Sequence, residues 1–257
     1  MNATPAPRHR LDILIVNGMV FDGSSNPPRA VDVGIRSDRL VMGENLAGLA
    51  AQTVIDAAGR YVCPGFIDIH THSDFNRMLY PNAESKILAG VTTEVTGNCG
   101  CGPFPLIGEA LARRKAEYEP LGLTVDWATP ADYFALAAAQ PCSVNHIALL
   151  GHGNVRSAVL GYADVRADAG HIRQMVRFAE EAFQAGAWGL SSGLVYAPGV
   201  FADRDELIAL ARVAADHGGC YASHIRNESG RVLEATSEFL DIVAASGAHG
   251  PDRKSVV

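Results

Sequence analysis

Two histidines one residue apart, His70 and His72, have the clearest capacity for chemistry in this sequence. They follow an apolar run, Phe66 to Ile69, whose composition predicts a β-strand. Side chains at positions i and i+2 of a strand point to the same face, so both imidazoles can reach one ligand. Because neutral imidazole is the commonest metal ligand, the pair predicts a zinc site. The alternative interpretation is two surface histidines in a turn.

Two further residues have suitable chemistry for the same site. Cys99 follows the predicted strand 91–96, and His224 ends the predicted strand 220–224. The C-terminal ends of parallel strands meet at one edge of a sheet or barrel, so these side chains are expected near the histidine pair. Three protein ligands with one open position are typical of catalytic zinc. Zinc lowers the pKa of a bound water to about 7 and polarises carbonyl groups, which predicts hydrolysis of an amide or similar bond.

The elements that must position these residues change character near residue 63. The alternating apolar and polar residues of 11–62 predict short strands and a small N-terminal β-domain, residues 1–62. From residue 63 to 250, apolar runs alternate with helical patterns, which predicts an α/β fold with a parallel sheet, either doubly wound or a TIM barrel. The first predicted strand of this part is the one that ends with the histidine pair. Four further strands are predicted over 91–96, 145–150, 187–191 and 220–224. The predicted helices cover 82–89, parts of 106–139, 169–185, 203–216 and 231–245.

Five strands are fewer than the eight of a TIM barrel. Residues 251–257 also lack the β-branched run that a sixth strand requires. We therefore expect a TIM barrel truncated after about five βα units, followed by an atypical tail at 251–257.

Composition narrows the class of protein. The chain has 257 residues, 48% of them hydrophobic and 19% charged, which is typical of a soluble globular protein. A net charge of −7 without a Lys/Arg cluster argues against nucleic acid and anionic membranes as partners. No apolar run is long enough for a membrane span, and the first residues lack a signal-peptide core. Five scattered cysteines do not suggest a disulfide framework, so a reducing cytoplasm is the expected location.

Four motifs in order carry a family resemblance. From about Leu11 to Gly247 the chain resembles the N-acyl-D-amino acid deacylase (D-aminoacylase) branch of the amidohydrolase superfamily. The motifs are PGFIDIHTHSD, VTTEVTGNCG, GLSSGLVYAPG and YASHIRNE. The resemblance implies a β-domain flanking a metal-dependent TIM barrel. It also implies hydrolysis of small N-acyl-D-amino acids to a carboxylate and a free D-amino acid.

The resemblance also implies roles for single residues. His70 and His72 would bind one metal, Cys99 would bind zinc and can bridge two ions, and His224 would belong to the tighter zinc site, with one or two zinc ions in total. Many amidohydrolases use a carboxylated lysine on strand four as the bridge, and strand four has no lysine here. The family's histidine after strand six and its general-base aspartate after strand eight have no counterpart in this chain. His249 precedes the expected strand six and is not taken as that ligand, so the catalytic base is not identified.

Two loops contain candidate substrate-binding residues. Arg226 and Glu228 follow the fifth strand and can bind a substrate carboxylate or support the metal ligands, with a surface ion pair as the alternative. Val195 and Tyr196 follow the fourth strand and can line a substrate pocket, with loop packing as the alternative. Asp74 can either orient a ligand histidine or cap the next helix.

Three rival functions differ in their use of these residues. The pattern Gly-Leu-Ser-Ser-Gly at 189–193 matches the nucleophile elbow of serine hydrolases, with Ser191 as the nucleophile. That motif needs a helix directly after the serine, whereas Pro198 and Gly199 delay the helix here. A dihydroorotase- or hydantoinase-like cyclic amidase would favour a lysine on strand four. The third alternative is an inactive metal-binding fragment.

Overall fold

The computed structural model describes residues 10–44 and 46–250. Its contacts divide the chain into two compact units, the first ending at Gly65 and the second beginning at Phe66. The predicted tail at 251–257 lies outside the described residues.

The first unit is made of short β-strands. In chain order they are β1 Leu11–Val16, β2 Met19–Val20, β3 Arg29–Ala30, β4 Asp32–Arg36, β5 Arg39–Gly43, β6 Ala51–Asp56 and β7 Tyr61–Val62. They form a four-stranded sheet in the order β5-β4-β1-β6 and a three-stranded sheet in the order β3-β2-β7. In β1, Leu11 and Leu14 are buried while Asp12 between them is exposed. Because these two leucines are three positions apart, they point to opposite faces, so both faces of the strand contribute a buried side chain.

The second unit contains a parallel five-stranded sheet. Its strands are β8 Phe66–Asp68, β9 Val91–Thr96, β10 Asn145–Gly151, β11 Gly189–Gly193 and β12 Cys220–His224. They lie in the order β12-β11-β10-β9-β8, so each strand pairs with the next one along the chain. This arrangement places all five C-terminal strand ends on one edge of the sheet, where the candidate ligands are expected.

Within residues 66–250, the described part of the second unit, there are eight α-helices. They are α1 Asn76–Leu79, α2 Glu84–Ile87, α3 Glu109–Tyr118, α4 Pro130–Ala139, α5 His152–Leu160, α6 Ala169–Ala185, α7 Arg204–Asp216 and α8 Val232–Ser246. The helix predicted over 169–185 is confirmed as α6, which Asp168 caps by accepting the N–H of His171. Met175 and Phe183 on its inner face are buried, and each contributes about 2 kcal/mol through apolar burial.

Several boundaries differ from the sequence predictions. β8 ends at Asp68, so the histidine pair lies after the strand rather than within it. The helix predicted over 82–89 is reduced to the four residues of α2. Helix α5 has no sequence prediction, because His152, Asn154 and Arg156 are polar residues on its buried side and interrupt the apolar periodicity.

The main chain and the side chain of Glu206 have different partners at the start of α7. Asp203 does cap α7 by accepting the N–H of Glu206 at 3.0 Å. The Glu206 carboxylate instead accepts a hydrogen bond from the Arg156 guanidinium and lies 2.7 Å from Nε2 of His152. All three side chains are fully buried, so this cluster ties α5 to α7.

Within residues 10–44 and 46–250, no helix combines the length and apolar character needed to cross a bilayer.

Candidate metal centre

The histidine pair is held beside the end of β8. Asp68 accepts the backbone N–H of His70 at 3.2 Å, and Thr71 donates its N–H to the carbonyl of Val95 at 3.2 Å. The imidazole rings of His70 and His72 lie 5.2 Å apart with an interplanar angle of 81°. Although the strand has ended, the backbone keeps both side chains in the same region.

Cys99 completes a group of three potential ligands. Its Sγ lies 3.5 Å from Nε2 of His70, and the three ligand atoms of Cys99, His70 and His72 all lie within 4.8 Å of one another. Two imidazoles and a thiolate are the donors that zinc prefers. The chemistry of this donor set fits a zinc ion.

Residues 97–102, which we call the cysteine loop, are fixed by hydrogen bonds from two sides. The buried carboxylate of Asp74 accepts the N–H of Gly97 at 2.5 Å. The Ser191 hydroxyl accepts the N–H of Gly100 at 3.0 Å and donates to the carbonyl of Gly97. The Asp74 carboxylate thus binds the main chain of the cysteine loop, a contact that neither sequence interpretation of Asp74 included.

Close backbone contacts explain two glycines, Gly97 in the cysteine loop and Gly193 at the end of β11. A methyl group on Gly97 would lie 2.1 Å from the carbonyl oxygen of Leu149, and a methyl group on Gly193 would lie 2.1 Å from that of Cys99. Gly97 also has a φ of +76°, and Cys99 itself has a φ of +55°. The cysteine loop is therefore pressed against the ends of β10 and β11, where side chains larger than hydrogen do not fit.

A charged network supports the histidine segment, which we define as residues 70–73. The Lys86 ammonium lies 2.6 Å from Asp68 and 3.1 Å from the buried Glu94, and it donates to the Thr71 hydroxyl at 3.3 Å. Glu94 also accepts a hydrogen bond from Ser73 at 3.0 Å. These bonds raise the pKa of Lys86 although burial opposes the shift. Sequence reasoning missed Lys86 and Glu94, because no local motif marks a lysine and a glutamate that meet only in the fold.

His224 lies at the end of β12 and is not a member of the three-residue group. Its Nδ1 is 3.3 Å from the Tyr196 hydroxyl, and its Nε2 is 3.4 Å from Glu228. In the sheet, His224 is paired in register with Gly193, and Gly193 touches the backbone of Cys99. The fold thus places His224 one strand away from the cysteine loop.

The structure favours the ion-pair alternative for Arg226. Its guanidinium binds Glu238 at 2.9 Å and donates to the carbonyls of Val200 and Ala202 at 2.9 and 3.0 Å. Arg226 therefore anchors the loop after β11 to α8. Val195, which belongs to the same loop, is exposed.

A cavity of about 600 Å³ opens beside the cysteine loop. Cys99, Gly193 and Tyr196 contribute to its wall, and Arg113 and Arg114 of α3 contribute positive charge. Both arginines are paired with glutamates of the same helix, at 2.9 and 2.6 Å. The cavity is large enough for a small organic molecule next to the candidate ligands.

Burial shifts the pKa of two side chains behind the centre. It raises the pKa of Asp74 to about 6, and it lowers the pKa of His146 to about 4. Nε2 of His146 lies 2.9 Å from the Thr96 hydroxyl and 3.0 Å from the Tyr133 hydroxyl. His146 is therefore a neutral structural residue.

Ser191 does not have the surroundings of a nucleophile. It is fully buried, and its hydroxyl binds main-chain atoms of the cysteine loop. The residues after β11 form a turn and a short 3-10 helix, Gly199–Phe201, before α7 begins. The strand-to-helix elbow that the serine hydrolase alternative requires is absent from this described segment.

His249 lies at the other end of the sheet from the candidate ligands. It forms a parallel bridge with Cys220, the first residue of β12, whereas His224 is the last residue of that strand. This position agrees with its exclusion as a metal ligand.

The chain is similar in sequence to known proteins. A family model described as the amidohydrolase family matches residues 53–245. The chain is 40% identical to N-acyl-D-glutamate deacylase of Alcaligenes xylosoxydans xylosoxydans over 93% of its length and 49% of that protein. It is 38% identical to D-aminoacylase of the same organism, over 90% of the chain and 48% of that protein. The chain thus spans about half the length of the curated relatives it matches.

Solved structures agree with this similarity. The N-acyl-D-glutamate deacylase of Bordetella bronchiseptica, complexed with zinc and a phosphonate inhibitor, has a TM-score of 0.85 and 38% identity, over 94% of this chain and 50% of that chain. The L-hydantoinase of Arthrobacter aurescens, with a TM-score of 0.57 and 18% identity over 93% of this chain and 52% of that chain, shares the fold alone.

Proposed function

The chain belongs to the amidohydrolase family, and on that premise we propose that it contributes to zinc-dependent hydrolysis of the amide bond of N-acyl-D-amino acids. The observation that carries this proposal is the convergence of His70, His72 and Cys99, whose ligand atoms lie within 4.8 Å of one another. The identity of 36 to 40% to deacylases of N-acyl-D-amino acids supports the substrate class.

The proposed metal ligands are His70, His72, Cys99 and His224. When bound, one or two zinc ions supply Lewis acidity that polarises a carbonyl group. The protein's part is to hold the two imidazoles and the thiolate together and to place His224 at the end of β12, in register with Gly193. The resemblance to D-aminoacylases implies that Cys99 would bind both ions if two were present, and the lack of a lysine in β11 fits this role.

The proposed substrate site is the cavity beside the cysteine loop. Tyr196 lines it and contacts His224, so its hydroxyl can orient a polar group of the substrate close to the centre. Val195 and Glu228 are proposed to contact the substrate from the loops after β11 and β12. Arg226 supports these loops by its contacts with Glu238 and the carbonyl of Val200.

We further propose that the second unit provides the first five βα units of a TIM barrel, with the β-strands of 1–62 as a flanking domain. The general base is then expected outside the five described strands. The cytoplasmic location is a separate prediction from the cysteine content. The hydantoinase-like alternative has less support, because that likeness extends only to the fold.

Zinc content and substrate hydrolysis test the proposal together. Purified protein should bind zinc, measured by elemental analysis, and His70→Ala and Cys99→Ala should lose it. His171→Ala is the matched control, because His171 is a helix-cap residue of α6. Release of D-glutamate from N-acetyl-D-glutamate, without release of L-glutamate from the L-enantiomer, would confirm the reaction. A folded protein that binds no zinc would contradict the proposed function.

A further inference from the structure

We propose that Ser191 is a positioning residue that fixes the cysteine loop so that the Cys99 thiolate faces the two histidines. This inference rests on the proposed metal centre. It gives a role to the Gly-Leu-Ser-Ser-Gly motif, which the deacylase function leaves without one.

The Ser191 hydroxyl bonds to the loop on both sides of Cys99. It accepts the N–H of Gly100 and donates to the carbonyl of Gly97, and all three residues are buried. Without this hydroxyl, one buried main-chain donor and one buried acceptor lose their partner. Such groups are costly to leave unsatisfied, so the loop would move to regain hydrogen bonds.

Movement of the loop would act directly on the thiolate. Cys99 lies between the two clamped glycines and has a φ of +55°, a backbone conformation that a residue with a side chain adopts only under constraint. The close approach of Gly193 to the carbonyl of Cys99 limits the loop on one side. The Ser191 hydroxyl adds directional hydrogen bonds to the main chain on both sides of Cys99.

Ser192 provides a matched control within the same strand. It is equally buried, but its hydroxyl bonds to Tyr221 at 2.7 Å and to Ser223 at 2.8 Å. Ser191→Ala and Ser192→Ala both remove one buried hydroxyl from β11. Only the first removes a bond to the cysteine loop.

The first measurement is the zinc dissociation constant, determined by competition with a chromophoric chelator. We expect Ser191→Ala to weaken zinc binding by about 10- to 100-fold, as for other residues that orient metal ligands, and Ser192→Ala by less than about 3-fold. The thiolate-to-metal charge-transfer absorption of the Co²⁺-loaded protein should also weaken in Ser191→Ala. Equal zinc affinity of the two variants would overturn the proposal.

The second measurement needs no metal. Alkylation of Cys99 in the metal-free protein, followed by peptide mass spectrometry, should be at least about 3-fold faster in Ser191→Ala than in Ser192→Ala. If the wild-type protein binds no zinc, the proposed function fails. The alkylation rate of Cys99 still decides whether Ser191 restrains the cysteine loop. If Ser191→Ala does not fold, Ser191→Thr and Ser191→Val replace it, because they have the same shape and differ only in the hydroxyl. Equal alkylation rates in the compared variants would overturn the proposal.

Discussion

The cysteine loop and the histidine segment meet at one centre but are held in different ways. The cysteine loop is fixed in a buried region by hydrogen bonds from its main chain to Asp74 and Ser191, and by two glycines that allow close backbone approach. The histidine segment follows β8, whose Phe66 and Ile67 are exposed, and it depends on the ion pairs around Lys86. One side of the centre is held by close packing and buried hydrogen bonds, and the other by a network of ion pairs.

This difference predicts different sensitivities for the two sides. A buried, close-packed loop responds to added volume and to lost hydrogen bonds, because neither can be relieved locally. A partly exposed charged network is sensitive to removal of one charge. The loss of stability is larger when the charge left without its partner is more deeply buried.

The largest effect is expected from Gly97→Ala. The new methyl group would meet the Leu149 carbonyl at 2.1 Å in a backbone with a φ of +76°, so we expect a loss of at least about 4 kcal/mol in the free energy of unfolding. Urea denaturation measures this loss. The control is Gly122→Ala, which has a φ of +89° and no atom within 4 Å, and it should cost only about 1 to 2 kcal/mol. Equal losses would mean that close approach does not fix the cysteine loop.

Lys86→Met should have the next largest effect. It leaves the buried Glu94 without its cation, and we expect a loss of about 3 kcal/mol in the free energy of unfolding and about 10-fold weaker zinc binding. Chemical denaturation and chelator competition measure the two quantities. Lys115→Met on α3 is the control and should change neither. Wild-type zinc affinity in Lys86→Met would show that the network does not support the histidine segment.

Acid should weaken the packed side through His146. Its pKa is about 4 in the folded protein, against an ordinary value of 6.5 for histidine, so the unfolded chain takes up the proton first as the pH falls. Stability from this group is complete above the unfolded value and is lost on acidification, by about 2 kcal/mol between about pH 7 and pH 5. Thermal unfolding of the wild-type protein and His146→Gln at several pH values measures it. The variant should lose this part of the pH dependence, and parallel curves would contradict the prediction.

The smallest effect is expected from Glu228→Gln. Glu228 is exposed, and its contact with His224 is an ion pair only when the imidazole is protonated, so the free energy of unfolding should change by less than about 1 kcal/mol. Urea denaturation at neutral pH is sufficient. A loss above about 2 kcal/mol would show that His224 depends on charge as the histidine segment does.

The sequence predicted the frame of the centre well. The alternation of strands and helices, the strands 91–96 and 220–224 and helix 169–185 are confirmed, because each follows from local apolar periodicity. The resemblance to amidohydrolases is confirmed by the family match. Helix α5 escaped prediction because its buried side contains His152 and Arg156, whose partner Glu206 lies about fifty residues away along the chain.

By itself, the sequence determined which residues have metal-binding chemistry and that they follow strand ends, because motif spacing and periodicity are local properties. Only the tertiary structure decided which of them meet and what holds them there. Ser191 and Gly97 are 94 residues apart in the sequence, and Lys86 and Asp68 are 18 residues apart. Such contacts depend on strand order and register. They explain why Ser191, in a motif that resembles a nucleophile elbow, hydrogen-bonds to the cysteine loop instead.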